Sequence, residues 1–194
     1  MIAKSYKLTH TVKDEMRVVF VGGVHGVGKS TCCQQASERN GLQWHTASSL
    51  IKAERQSTID ERSREVLDPQ ENQELLIRGV HKLRTTVHER VILDGHFTLL
   101  KPDGAIIAVE IDIFLQLKLE RIVIFRDEPA SIFNRIRERD GKEWSISMID
   151  VHQEAEIKRA YIVASILRIP ICTLNSFDVD GLIREVGVLR SFPT

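Results

Sequence analysis

A glycine-rich segment near the N-terminus carries the clearest chemistry in the sequence. Gly23-Val-His-Gly-Val-Gly-Lys-Ser30 fits the pattern G-x-x-x-x-G-K-[ST], in which glycines allow backbone N–H groups to turn toward phosphate oxygens. Lys29 is predicted to reach the β- and γ-phosphates of a nucleotide, and the Ser30 hydroxyl to bind Mg²⁺. We therefore expect ATP and Mg²⁺ as cofactors. The residues assigned to ATP binding are Gly23, Gly26, Val27, Gly28, Lys29, Ser30 and Thr31.

Asp94 is the acidic partner expected beside such a loop. It follows the apolar run Val91-Ile92-Leu93 and precedes Gly95-His96. Ligands in open α/β sheets gather at the carboxyl ends of the strands, so Asp94 is predicted to face the same crevice as Lys29. We assign it a catalytic role and, with Ser30, magnesium binding; the alternative is an Asp that only caps a turn. His96 is assigned to a second substrate, with a turn histidine as the alternative.

Two basic clusters complete the candidate chemistry. Arg135 and Arg139 lie four residues apart on a predicted helix, and we interpret the segment at about 135–145 as a short lid that neutralises a moving phosphoryl group. A solvated helix face is the alternative. The second cluster, at about 48–66, is basic and rich in hydroxyls, which suits an acceptor that carries phosphate, although solvated surface is the alternative for some of its cations. Its candidate ligands are Ser48, Ser49, Arg55 and Arg62.

The elements that must position these residues alternate between short β-like runs and helical patterns, which indicates a parallel sheet covered by helices. Ser48 or Ser49 is predicted to cap a short helix, and Asp178 the last one. The predicted strands cover 17–21, 42–46, 91–93, 122–125 and 170–174. The predicted helices cover 29–39, a segment ending at 55, about 68–89, 111–118, 129–139, about 147–167 and a final segment after 178.

The length and composition of the chain indicate the number of domains, the kinds of partner and the compartment to expect. The 194 residues are expected to form one domain, 1–194, because no linker-like composition divides them. The 27 basic residues equal the 27 acidic ones, so we expect neither general nucleic-acid binding nor membrane association. Three cysteines in no disulfide pattern, together with the lack of a secretory signal, predict a cytoplasmic protein.

The order of the motifs resembles an archaeal-type adenylate kinase. The resemblance rests on the phosphate loop, the segments at 67–69, 91–96 and 101–104, the arginine-rich turn, and His152-Gln153. It implies an α/β P-loop NTPase with a five-stranded parallel sheet flanked by helices and a short lid. It also implies phosphoryl transfer from ATP to AMP, with His96 on the acceptor side and the loop after Leu174-Asn175 near the donor adenine.

Two other functions stay open from the sequence. One is a kinase for a nucleoside or another small hydroxyl acceptor, in which Asp94 acts as a base toward the hydroxyl. The other is an ATP-binding switch or assembly ATPase of the same fold, which would have a protein partner, because a fold alone does not fix an activity.

Overall fold

A computed structural model describes residues 15–58, 69–101, 103–140 and 144–187, except for the side chains at 58, 69, 70, 139 and 140. The strands are β1 (Arg17–Gly22), β2 (Gln43–Thr46), β3 (Arg90–Asp94), β4 (Thr98–Leu100), β5 (Ile106–Ala108), β6 (Leu119–Arg126) and β7 (Ile171–Asn175). The helices are α1 (Lys29–Asn40), α2 (Ala47–Thr58), α3 (Pro69–Thr86), α4 (Ile111–Leu117), α5 (Pro129–Asp140), α6 (Ile146–Leu167) and α7 (Val179–Gly187).

Five parallel strands form the main sheet, in the order β2-β3-β1-β6-β7. The central strand β1 is buried along almost its whole length, as its continuous apolar run predicts for a strand covered on both faces. The expected α/β fold with a five-stranded parallel sheet is therefore confirmed. Segment 141–143, in the predicted lid, lies outside the described residues.

Helices cover both faces of the sheet with two apolar layers. On one face, Phe20, Phe97 and Phe114 form an aromatic cluster, with ring centroids 4.9 to 5.5 Å apart. On the other face, α1, α5 and α7 pack against β1 and β6 through a second apolar cluster that includes Cys32 and Ile132.

Strands β4 and β5 form an antiparallel hairpin that the sequence pattern does not predict. Each strand has only three residues, too few for an alternating pattern to stand out. Gly104 turns the chain with φ +85°, and the Lys101 N–H donates to the Ala105 carbonyl at 2.8 Å. The hairpin begins only four residues after Asp94 and packs beside α6, so it belongs to the surroundings of the site.

Three predicted helix boundaries are wrong, and one of them is the end of α2, which lies at Thr58 and not at 55. Thr46, and neither Ser48 nor Ser49, caps α2: the Ser49 N–H donates to Thr46 Oγ1 at 3.0 Å, and the Thr46 N–H donates to Ser49 Oγ at 3.2 Å. This reciprocal pair is a capping box in which serine takes the place of the usual Glu or Gln. Helix α3 ends at Thr86, three residues before the predicted end, because the chain must turn into β3 at Arg90.

The Asp178 cap is confirmed, since its Oδ1 accepts the Gly181 N–H at 2.7 Å. All three cysteines are free thiols, and Cys32 and Cys33 are buried. Burial raises the pKa of Cys32 to about 11 and that of Cys172 to about 12, so both stay protonated at neutral pH. Among the described helices, none is long and apolar enough to cross a membrane.

Helix α4 offers a direct test of the aromatic layer. Phe114 is 1% exposed, whereas its neighbour Leu115 is 49% exposed. We expect Phe114→Ala to lower the free energy of unfolding by about 3–5 kcal/mol, because it removes buried apolar area and leaves a cavity. Leu115→Ala, the control, should change it by less than about 0.5 kcal/mol. Urea unfolding followed by circular dichroism measures both; equal effects would contradict the assigned packing.

Candidate functional site

The glycine-rich loop joins the end of β1 to the start of α1, as its motif requires. Gly26 and Gly28 have positive φ values of 79° and 92°, a conformation that favours glycine. A Cβ on Gly26 would lie 2.6 Å from Ile136 Cγ1, so the close approach of α5 also requires glycine there. The loop and the first turn of α1 line a pocket of about 280 Å³, together with Arg135 and Phe177. This geometry places the N-terminus of α1, with its partial positive charge, at the pocket.

Lys29, Ser30 and Asp94 converge as the sequence predicted. The parallel register places Val21 beside Asp94, so the ends of β1 and β3 open into one crevice. Ser30 Oγ donates to Asp94 Oδ2 at 2.5 Å, and Lys29 Nζ lies 3.7 Å from Asp94 Oδ1. Asp94 is 4% exposed, and the charge of Lys29 offsets part of the cost of burying its carboxylate.

This pair of oxygen ligands fits a magnesium ion. Mg²⁺ prefers hard oxygen donors and usually binds one or two protein groups, while water and phosphate oxygens fill its other positions. Ser30 is exposed at the pocket and its hydroxyl already faces the Asp94 carboxylate, so the two side chains would hold the ion from one side. Among the described residues, no group of three or more His, Cys, Asp or Glu side chains could hold a metal by itself.

His96 connects the phosphate loop to a second cavity. Its Nε2 lies 3.4 Å from Lys29 Nζ, and its ring also lines a mainly apolar cavity of about 260 Å³. The cavity lies against β1 between α2, α3 and α4. Its lining includes Phe20, Ala47, Ser48, Ile51, Asn72, Gln73, Leu76, Leu99, Val109, Ile113, Phe114 and Leu117. His96 therefore lies between the phosphate loop and this cavity.

Of the residues predicted to bind an acceptor, only some line this cavity. Ser48 lines the cavity, whereas the Ser49 hydroxyl donates to the Thr46 carbonyl at 2.7 Å as part of the helix cap. Arg55 donates to Asn72 Oδ1 at 2.8 Å, so it joins α2 to a residue at the edge of the cavity. Arg62 lies outside the described residues. The described lining is thus less basic than the sequence suggested.

Arg135 lies directly on the phosphate loop. Its Nε donates to the Gly26 carbonyl at 2.8 Å, and its guanidinium donates to Asp127 Oδ2 at 2.6 Å. Burial would raise the pKa of Asp127, but hydrogen bonds from Arg135 and from the Glu128 N–H, with the Arg135 charge, bring it below the ordinary value. The carboxylate therefore stays charged and holds Arg135 beside the pocket. The side chain of Arg139 lies outside the described residues.

The loop after β7 also contacts the phosphate loop and lies beside Arg135. Ser176 Oγ donates to the Val27 carbonyl at 2.5 Å, and the Arg135 guanidinium lies 5.2 Å from the centre of the Phe177 ring. Phe177 is 49% exposed, with its backbone at φ +62°. This aromatic face stands at the rim of the pocket, in the region that the resemblance implied for the donor base.

Sequence reasoning missed Glu156, which is 0% exposed on α6. Its Oε1 accepts the N–H groups of Gly23 and Phe97 at 3.2 and 2.9 Å, and its Oε2 accepts the Thr98 N–H and hydroxyl at 2.6 and 2.5 Å. Burial would raise its pKa, but the neighbouring His96 and these hydrogen bonds bring it below the ordinary value. The carboxylate is therefore ionised and fully enclosed at neutral pH.

Gln153, one turn earlier on α6, makes a similar contact with a third loop. Its amide accepts the Asp127 N–H at 3.0 Å and donates to the Asp127 carbonyl at 2.9 Å. A signal was present in the sequence, since polar side chains interrupt an apolar helical stripe at the regular spacing of three and four residues. The stripe runs Ile149, Gln153, Glu156, Ala160 and Val163, all of them buried.

Comparisons with known proteins agree with this architecture. A family described as an AAA domain matches residues 22–153, which is more than half of the chain. A gluconokinase from Sinorhizobium meliloti 1021 has 14% identity, covers 90% of each chain and gives a TM-score of 0.50. A shikimate kinase from Bacteroides thetaiotaomicron has 15% identity over 87% of this chain and 95% of its own, with a TM-score of 0.52. No curated protein matches the sequence. The fold is thus that of P-loop kinases.

The magnesium assignment can be tested on Asp94. Asparagine keeps the size of the side chain and an oxygen for the Ser30 hydroxyl, but it lacks the charge. Mg²⁺ is expected to increase the ATP affinity of the unchanged protein. In Asp94→Asn we expect this increase to be at least about tenfold smaller. Titration calorimetry with and without Mg²⁺ measures the gain. The exposed Asp112→Asn should keep it in full; an undiminished gain in Asp94→Asn would contradict the assignment.

Proposed function

The chain belongs to the AAA domain family, and from this premise we propose that it is a magnesium-dependent phosphotransferase that moves a phosphoryl group from ATP to a nucleoside monophosphate, with AMP as the first candidate. The observation that carries the proposal is the position of His96. One edge of this ring contacts Lys29 of the phosphate loop, and the ring lines the neighbouring apolar cavity. Donor phosphates in the loop would therefore face an acceptor in the cavity.

The residues of the crevice suit phosphoryl transfer, which depends on positioning and charge stabilisation more than on covalent chemistry. Lys29 would bind the β- and γ-phosphates, and Arg135, which already lies on the loop, would stabilise charge on the moving group. When bound to Ser30 and Asp94, Mg²⁺ would neutralise phosphate charge. Phe177 offers an exposed aromatic face for the donor base.

The lining of the cavity favours an acceptor with a flat, apolar part. Phe20 and Phe114 form aromatic walls, and the amides of Asn72 and Gln73 supply hydrogen-bonding groups that can recognise the edge of a base. A small polyhydroxy acid would find few partners among the described lining residues, because it would need a polar or charged group for each of its oxygens. The similarity to gluconokinase and shikimate kinase supports the fold alone.

A second candidate is a kinase for a nucleoside or a similar uncharged hydroxyl acceptor. It is favoured by one observation: no Lys or Arg lines the described part of the cavity, although an acceptor phosphate would call for a cation. In this case Asp94 would accept the proton of the hydroxyl. The two candidates differ in whether Arg62, outside the described residues, supplies the missing charge.

An acceptor panel separates these candidates. Protein and Mg²⁺–ATP are incubated with each nucleoside monophosphate, each nucleoside and shikimate or gluconate, and products are separated by ion-exchange chromatography. We expect a nucleoside diphosphate with AMP as the best acceptor. A nucleoside monophosphate as product supports the second candidate. No phosphorylated acceptor, with ATP hydrolysis that a co-purified protein stimulates, contradicts both and favours the assembly ATPase.

The cavity itself can be tested by filling its entrance. Ser48 is exposed in the first turn of α2 and lines the cavity, whereas the exposed Ala53 on the same helix does not. We expect Ser48→Leu to raise the KM of the accepted substrate at least about tenfold without changing the KM of ATP, because the larger side chain occupies part of the site. Ala53→Leu, the control, should change neither value. Unchanged acceptor kinetics in Ser48→Leu would place the acceptor elsewhere.

A further inference from the structure

Glu156 ties together the two loops that carry the candidate chemistry. It enters between the end of β1 and the segment after β3 and accepts four hydrogen bonds from three residues, Gly23, Phe97 and Thr98. Gly23 begins the phosphate loop, and Phe97 directly follows His96. An enclosed carboxylate requires such a set of donors, and here the donors come from both sides of the crevice.

His96 also faces this carboxylate. Its Nδ1 is buried, has no hydrogen-bond partner within the described part of the chain, and lies 3.7 Å from Glu156 Oε1. On the other edge of the ring, Nε2 lies 3.4 Å from Lys29 Nζ. A lysine ammonium can only donate, so a hydrogen bond between these two groups has Nε2 as its acceptor and the ring proton on Nδ1. The negative charge of Glu156 also favours a proton on Nδ1, because the hydrogen of an N–H group carries a partial positive charge.

We propose that Glu156 is a positioning residue for phosphoryl transfer: it holds His96 with its Nδ1 toward α6 and its Nε2 toward Lys29 and the acceptor cavity. Glu156 itself is enclosed and touches neither substrate. Its effect on transfer is exerted through His96, whose Nε2 can accept a hydrogen bond from Lys29 or from an acceptor hydroxyl. The expected effect of Glu156 on kcat rests on the proposed function, whereas its contacts with His96 do not.

A purely structural role is the competing explanation. Glu156 also anchors α6 to the sheet, so its removal can loosen the whole crevice. The two roles differ in their dependence on His96. A positioning role that acts through His96 has no further effect once that ring is absent, whereas a general loosening adds to any change at His96.

The kinetic test uses Glu156→Gln, which keeps the shape of the side chain but turns an NH₂ group toward N–H or O–H donors. We expect kcat to fall about 10- to 100-fold, as for other side chains that orient a ligand through a hydrogen bond, with less than about a threefold change in the KM of ATP. Glu154→Gln is the matched control, because Glu154 is exposed on the same helix and makes none of these contacts. It should retain the kcat of the unchanged protein.

The double variant decides between the two roles. We expect Glu156→Gln with His96→Asn to have the kcat of His96→Asn alone. Multiplied effects, or an unchanged kcat in Glu156→Gln, would overturn the proposal. Circular dichroism and ATP titration confirm that each variant is folded and binds nucleotide before its kinetics are compared.

A measurement on the unaltered protein does not require the acceptor to be known. Histidine labelled with ¹⁵N in both ring positions is followed by long-range ¹H–¹⁵N NMR, with His96→Asn used to assign the His96 signals. We expect His96 to carry its ring proton on Nδ1, with Nε2 as the acceptor. A ring with its proton on Nε2 would overturn the proposal even if AMP is the acceptor. The Nδ1–H form in a protein that phosphorylates no acceptor would leave this geometry standing and reject the proposed function.

Discussion

The parallel pairing of β1 with β3 is the constraint on which the candidate site depends. Because Val21 lies beside Asp94 in the register, the phosphate loop and the Asp94-Gly-His96 segment leave the sheet side by side. A shift of this register would separate Ser30 from Asp94 and Lys29 from His96, since each contact spans more than 60 positions of sequence. The apolar layers on the two faces of β1 resist that shift, and Glu156 fixes the two loops beyond the ends of the strands.

Helix α6 also fixes loops at the ends of several strands of the sheet. Glu156 holds the loops after β1 and β3, while Gln153 holds the loop after β6 at Asp127. Asp127 in turn holds Arg135, whose other contact is the Gly26 carbonyl of the phosphate loop. Polar side chains of α6, together with Arg135 of α5, thus connect the loops that follow β1, β3 and β6. The chain as a whole has no net charge, but Lys29 and Arg135 both line the pocket at the phosphate loop and make it locally positive.

The sheet, most helices and the centre of the site could be predicted from the sequence because their signals are local. The strand β1 is a continuous apolar run, the phosphate loop has a fixed spacing, and Asp94 follows a strand directly. The hairpin β4–β5 was missed because three-residue strands leave too little pattern. Ser48 and Ser49 were preferred as caps because the pairing of Thr46 with Ser49 depends on where β2 ends.

Glu156 and the apolar cavity depend on contacts between distant segments, and for that reason they could not be predicted from spacing alone. A glutamate within an apolar helical stripe indicates a buried charge, but it does not identify the donors, which here come from Gly23 and from 97–98. The cavity likewise requires side chains from β1, α2, α3 and α4 to meet. Its apolar lining is the reason that the proposed acceptor site is a cavity suited to a nucleobase, whereas the sequence suggests a basic patch.

The central claim is that the phosphate loop and the apolar cavity form one site in which the transferred phosphoryl group faces the acceptor. A crystal structure with Mg²⁺ and a non-hydrolysable ATP analogue tests it most directly. The account predicts β- and γ-phosphates within hydrogen-bonding distance of Lys29, Mg²⁺ held by Ser30 and Asp94, and a γ-phosphoryl group directed toward His96 and the cavity. A γ-phosphoryl group directed away from His96, or a metal ion that Ser30 and Asp94 do not hold, would contradict it.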